Sequence, residues 1–191
     1  MKKIFTLAAL TFEFFTGAKA QFDIENLSIG AGLAPCRYLV GFNSIVNPLV
    51  KVQYELDDES LASLDLNFPS YSNTWEDGHE KMNYVNINAS YGRYFIGDAE
   101  ESFNLFWKAG VGMSMFTYEY SDLTINESGN DGDYTMNFGV GANLGLTDNI
   151  QFFAEPTLVI GAGQYNSMSG YNGTMGIANI GLQIGAKFRF N

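Results

Sequence analysis

His79 is the only histidine of the chain, within Trp75-Glu76-Asp77-Gly78-His79-Glu80-Lys81. Ser70 and Ser72 lie just upstream. A histidine near a hydroxyl and a carboxylate is the material of general-base and nucleophilic catalysis, provided a partner is held within hydrogen-bond reach. Nothing in this spacing fixes such a partner, so a solvated loop histidine is expected. Ser128-Gly129-Asn130-Asp131-Gly132-Asp133 is acidic and glycine-rich, but it lacks the ligand spacing of a calcium loop and the closing glutamate. It reads as a loop tip. Gly30-Ala31-Gly32, Gly139-Val140-Gly141 and Gly161-Ala162-Gly163 are followed by no helical pattern, so they are not phosphate loops. Cys36 stands alone, which excludes an internal disulfide. In Leu33-Ala34-Pro35-Cys36, Pro35 occupies the place where a lipid-anchor signal needs a small residue. No metal or cofactor site is expected.

Seven charged residues form the other group with chemical potential: Lys51, Glu55, Asp65, Lys108, Glu155, Lys187 and Arg189. Each falls in the polar phase of a segment whose hydrophobicity alternates with period 2. Four are positive and three negative, nearly neutral in an otherwise acidic chain. Such balance is what a closed interior requires, because an unpaired buried charge costs several kcal/mol. They are read as a packed charge network rather than as a conduction path.

The elements that would carry them follow from composition and period. The chain has 191 residues, with 10 Lys+Arg against 21 Asp+Glu. Met1-Lys2-Lys3, the apolar run Ile4–Phe15 and Ala18-Lys19-Ala20 form a secretory signal, residues 1–20, so that the mature chain begins at Gln21. Its removal leaves 7 basic and 20 acidic residues, a net charge of −13. A nucleic-acid binder needs a basic footprint, so that class is excluded. Charged residues make up only 16% and aromatics 15%, with 21 glycines. Residues 21–191 fit one β-rich domain that does not meet water over its whole surface.

Eight segments alternate. In the last, Gly176, Ala178, Ile180, Leu182, Ile184, Ala186, Phe188 and Phe190 oppose Ile177, Asn179, Gly181, Gln183, Gly185, Lys187 and Arg189. A helical period would mix the two sets. Similar runs start at Leu27, Val50, Leu64, Tyr84, Phe103, Tyr134 and Ile150. The connections Asp57–Leu61, Ile96–Ser102 and Thr147–Asn149 are short. Cys36–Asn47, Ser70–Lys81, Glu119–Asp133 and Gly163–Thr174 are long. Short turns at one end and long loops at the other are the asymmetry of outer-membrane barrels. The polar phase is Gly, Asn, Ser and Gln, which suits the crowded interior of eight strands. The apolar phase is therefore expected to face lipid. Tyr38, Tyr71, Trp75, Tyr118, Tyr120, Tyr134, Tyr165 and Tyr171 are expected in one interfacial belt. Tyr94, Phe95, Phe103, Phe152, Phe188 and Phe190 are expected in the other. Arg93 falls on the lipid side by simple alternation, unless a bulge shifts the phase.

On these runs, and on the ending Gly185-Ala186-Lys187-Phe188-Arg189-Phe190-Asn191, the chain resembles the small eight-stranded outer-membrane β-barrels, the OmpA/OmpX-like class, and most of all the barrels of Bacteroidetes-type bacteria. The resemblance implies an all-β, antiparallel, up-and-down transmembrane barrel behind a cleaved signal peptide, integral to the bacterial outer membrane with periplasmic termini. It implies Phe188 and Phe190 as the signal read by the barrel-assembly machinery, here followed by one further residue, Asn191. No wall-binding domain is expected after the barrel. The expected partners are outer-membrane lipid, lipopolysaccharide, that machinery and a surface ligand held by loops. The expected state is a monomer. The leading function is non-enzymatic, structural and display-based. Some similar barrels modify lipid A with a His and a Ser, which makes His79 the centre of an alternative enzyme reading. A narrow channel and a soluble, lipocalin-like ligand binder are the remaining alternatives.

Overall fold

The computed structural model describes residues 23–38, 46–121, 126–166 and 172–190. The expected signal segment, 1–20, lies outside them. Ten strands follow one short 3-10 turn, Ile24–Asn26, capped by the Asp23 carboxylate accepting from the Glu25 amide at 3.1 Å. The strands are β1 (Leu27–Leu33), β2 (Cys36–Tyr38), β3 (Pro48–Asp57), β4 (Ser60–Asn67), β5 (Ser70–Trp75), β6 (Gly78–Ile96), β7 (Phe103–Ser121), β8 (Asn126–Gly145), β9 (Ile150–Asn166) and β10 (Asn172–Arg189).

They make eight staves. β2 pairs with β10 in the register that β1 already holds, and β5 pairs with β6 in the register of β4. Each of these two staves is interrupted at a proline, Pro35 or Pro69. A proline has no amide to give to the ladder, so the pairing pauses there. All neighbours are antiparallel, and β1 pairs with β10 from Ser28↔Arg189 to Leu33↔Ile184, closing the barrel.

Period-2 alternation sorts the side chains as the sequence implies. Ser28, Lys51, Gln53, Asp65, Asn88, Asn104, Lys108, Asn137, Asn143, Glu155 and Gln183 are buried inside. Ile29, Leu64, Val111, Met136, Phe138, Val140, Ile160, Ile180 and Phe188 are exposed outside. This barrel is polar within and apolar without, the reverse of a soluble barrel. The outward apolar run on β8, Tyr134 to Leu144, covers 11 residues. At ~3.4 Å per residue and ~45° tilt it is about 25 Å tall, the height of the apolar band of outer-membrane barrels.

Two of the expected long loops, 70–81 and 119–133, are largely strand, while 39–45 and 167–171 of the other two lie outside the described residues. β5 and β6 meet at the two-residue turn Glu76-Asp77, and β7 pairs with β8 as far as Ser121↔Asn126. Residues 128–133, expected as a loop tip, are strand residues opposite Ser114–Glu119. At 19 residues β7 is far longer than the ~9–11 that cross a bilayer. Above Tyr134↔Ala162, β8 has no partner from β9 among the described residues. The sheet β5-β6-β7-β8 therefore rises beyond that pairing as a projecting flange.

Polarity inverts along this flange. Met115 is still apolar and outward, but Thr117, Glu119 and Ser121 continue the same face. The opposite face carries Tyr118 and Tyr120. Hence Trp75, Tyr118 and Tyr120 do not join the outward belt expected of them, whereas Tyr134, 59% exposed, lies on the outward apolar face. Tyr94 is a second correction, because it points inward in phase with Ser90 and Gly92 and is buried. Arg93 does face outward. The register shift comes after it, between Tyr94 and Ile96, and its guanidinium pairs with Glu59 in the neighbouring short turn.

Candidate functional site: the charged lumen and the projecting flange

Four staves bring four charges to one level of the lumen. Lys51 comes from β3, Asp65 from β4, Lys108 from β7 and Glu155 from β9. Lys51 and Asp65 are already cross-strand partners, with Nζ 3.5 Å from Oδ1. Lys51 also pairs with Glu155, and Lys108 pairs with both Asp65 and Glu155. The result is a closed ring of alternating sign, Lys51–Asp65–Lys108–Glu155, none of it more than 3% exposed. Each ammonium touches two carboxylates and each carboxylate two ammoniums. Burying charge is costly unless it is paired this fully. Gly139 lies against the ring, where a Cβ would come 3.3 Å from both Glu155 Oε1 and Lys108 Cε. The Phe153 ring centroid lies 4.9 Å from Lys51 Nζ and adds a cation–π contact.

The other three charges of the expected network lie elsewhere. Glu55 accepts from Gln53 Nε2 at 2.7 Å and from the Tyr94 hydroxyl, whose oxygen lies 2.9 and 3.0 Å from its two carboxylate oxygens. Arg189 spends its donors on backbone, Nη1 to Ala99 O at 3.0 Å and Nε to Glu25 O at 3.3 Å. Lys187 is buried, opposite Gly30 and Gln151 in register. Tyr94 is the lumen residue that sequence reading missed. Its phase within β6 was the available signal.

The short-turn end is plugged. Leu61, Tyr94, Ala99 and Phe106 form an apolar cluster, with Tyr94 and Phe106 edge to face at 5.9 Å. Ala99 comes from the β6–β7 turn. Gly97 takes φ +67° there, a left-handed conformation natural to glycine. Asn104 Nδ2 holds that turn through Asp98 O at 2.8 Å. Toward the flange, a cavity of about 40 Å³ is lined by Asn67, Asn86, Asn88, Asn179 and Gln183, among others. That is room for two or three waters.

His79 lies on the flange opposite Thr74 and Ser121, exposed. Ser70 donates to Asn83 Oδ1 at 2.8 Å rather than to a histidine. Among the described residues no hydrogen bond ties His79 to a hydroxyl or a carboxylate. Cys36 faces Gly181 in the β2–β10 ladder. Trp75 and Tyr120 have their ring centroids 5.8 Å apart. Tyr118 lies over Gly129, where any Cβ would strike its ring.

No protein-family model matches the chain, and no curated protein sequence does. Solved structures do. Neisserial surface protein A covers 86% of this chain and 96% of its own at TM-score 0.58 and 13% identity. The chain has the fold of the small eight-stranded outer-membrane barrels. This barrel is similar also to OprG of Pseudomonas aeruginosa, covering 88% of this chain and 100% of that one at TM-score 0.57 and 12% identity. Ail, the attachment invasion locus protein of Yersinia pestis, covers 86% and 96% at TM-score 0.56 and 14% identity, in a crystal with the heparin analogue sucrose octasulfate. The small barrel sets the geometry of the whole site: a narrow lumen filled by side chains apart from one small polar cavity, and strands that run on above it.

Proposed function

We propose that this protein is an integral, monomeric outer-membrane barrel without catalytic activity, whose lumen is a rigid scaffold and whose flange is the working surface. The observation that carries this reading is the outward apolar face, present on all eight staves among the described residues and ending on β6–β8 where Thr117, Asn83 and Asn130 replace it. Residues 1–20 would direct export, and both termini would lie in the periplasm beside the short turns. Phe188 and Phe190, edge to face at 5.3 Å near the short-turn end, would serve the assembly machinery. Lipid and lipopolysaccharide would surround the staves.

Packing of the lumen favours a scaffold over a channel. The charge ring fills one level and the Leu61–Phe106 cluster closes the short-turn end. The exposed His79, with no hydroxyl or carboxylate partner among the described residues, favours display over lipid A chemistry, since a general base needs its hydroxyl within reach. Ail binds a sulfated ligand, but flange segments 70–84, 116–121 and 126–134 hold seven carboxylates against Lys81, so a polyanion is a poor fit here.

The test is gel mobility of the mature chain refolded in detergent, with and without boiling. Folded barrel should migrate apart from boiled chain and should be insoluble without detergent. A soluble monomer in plain buffer would overturn the reading.

A further inference from the structure

We infer that the outward face at the short-turn end seats one phospholipid of the phosphatidylethanolamine class, with its phosphate on Arg93 and its ammonium on the acidic turns. The inference rests on the barrel reading above. Among the described side chains below the flange, Arg93 is the one basic group on the outward face. It stands near the end of β6, with exposed Tyr91 and Phe95 on its own strand and exposed Trp107 directly opposite. Tyr91 and Trp107 meet edge to face at 6.2 Å. Aromatics of this kind settle at headgroup level.

The Arg93 guanidinium gives Nη2 to Glu59, and the two side chains are 49% and 71% exposed. Among the described residues it makes no other hydrogen bond. Arg189, by contrast, spends both Nε and Nη1 on backbone carbonyls. A guanidinium has five N–H donors in a planar fork, and one carboxylate oxygen answers only part of it. On a face in lipid each polar group left bare is costly, so the unspent donors need acceptors. Phosphate oxygens supply them in the bidentate geometry that the fork fits.

Charge complementarity narrows the headgroup. Asp57, Asp58 and Glu59 at the β3–β4 turn and Glu100 and Glu101 at the β6–β7 turn are all exposed. The two turns are joined, with Ala99 N donating to Asp58 O at 3.2 Å, and Tyr94 N ties the first to β6 through Glu59 O at 2.8 Å. Arg93 therefore lies beside both. Five carboxylates around one guanidinium repel a headgroup of net negative charge. A primary ammonium next to the phosphate reverses this, because its three N–H donors meet those carboxylates. A trimethylated headgroup offers no such donor.

The experiment uses the full mature chain in detergent with an equimolar mixture of phosphatidylethanolamine, phosphatidylcholine and phosphatidylglycerol of identical acyl chains. Native mass spectrometry reads which lipid stays bound. Phosphatidylethanolamine should be retained over each of the others at least about fivefold, and R93Q should abolish that preference. E59Q should lower the ratio of phosphatidylethanolamine to phosphatidylglycerol, while K81Q on the flange should leave it unchanged. Each variant is first checked for the boiling-dependent band shift, and if R93Q loses it, E59Q carries the test through the same ratio. Absence of the shift in the parent chain would sink the barrel reading. A folded parent that retains the three lipids equally, or prefers phosphatidylglycerol, would sink only the lipid-seat inference. So would a preference that survives R93Q.

Discussion

Replacing Glu155 by Gln removes one corner of the charge ring and leaves Lys51 and Lys108 sharing Asp65. Glu155 is fully buried and touches both ammoniums, so no solvent is at hand to take over its role. The lumen level would change from neutral to +1. Breaking a buried ion pair from one side costs about 3–5 kcal/mol, because the remaining charge stays buried. Glutamine keeps the volume, so the cost is electrostatic rather than a cavity. Urea unfolding in phospholipid vesicles, followed by Trp fluorescence and band shift, reads it out. With a slope of ~2 kcal/mol/M, a loss of ~4 kcal/mol moves the midpoint by roughly 2 M. The double variant K108M/E155Q restores neutrality and keeps the Lys51–Asp65 contact at 3.5 Å. It should be more stable than E155Q alone. An unfolding free energy for E155Q within ~0.5 kcal/mol of the parent, or a double variant as costly as the sum of the singles, would refute the ring as the organiser of the lumen.

Three further outcomes follow from the same geometry. Val111→Arg, at a lipid-facing site 59% exposed, should cost about 2–4 kcal/mol in vesicle unfolding, whereas Thr117→Arg above the apolar band should cost under ~1 kcal/mol. Gly141→Ala drives a Cβ into the Phe106 ring and should cost about 1–3 kcal/mol by urea titration, with a smaller loss in a Phe106→Leu background. His79→Asn should leave the lipid A mass spectrum of the producing cell the same as with the parent protein, and a change would restore the enzyme reading.

The eight staves were legible because an apolar outer face and a crowded polar lumen impose one strict alternation, clearest from Gly176 to Phe190. Legibility stopped where the environment changed. Beyond Met115 the outward phase reads Thr117, Glu119, Ser121 and the other reads Phe116, Tyr118, Tyr120. The period of 2 persists with its polarity inverted, because this part meets water outside. A search for an apolar face ends at the boundary and takes the rest for loop. The lumen charges were legible as a set, since phase alone sends them inward. Of the four pairings in the ring, only Lys51–Asp65 joins neighbouring strands, and the other three were not legible. Lys108 and Asp65 sit on staves separated by β6, and Glu155 reaches Lys51 across the lumen, so no cross-strand rule links them. Glu55 sits two places beyond Gln53 on the same strand and is taken by Tyr94, which had been counted with the lipid belt.

The most direct test of the account is the depth of its two tryptophans. Trp107 faces outward on the barrel, and Trp75 stands on the flange above it. Tryptophan fluorescence would be measured for W75F and for W107F in bilayers with brominated acyl chains. The account predicts strong quenching of Trp107 in W75F and little of Trp75 in W107F. An unquenched Trp107 would mean that the apolar face does not meet lipid, and the barrel would have been read inside out.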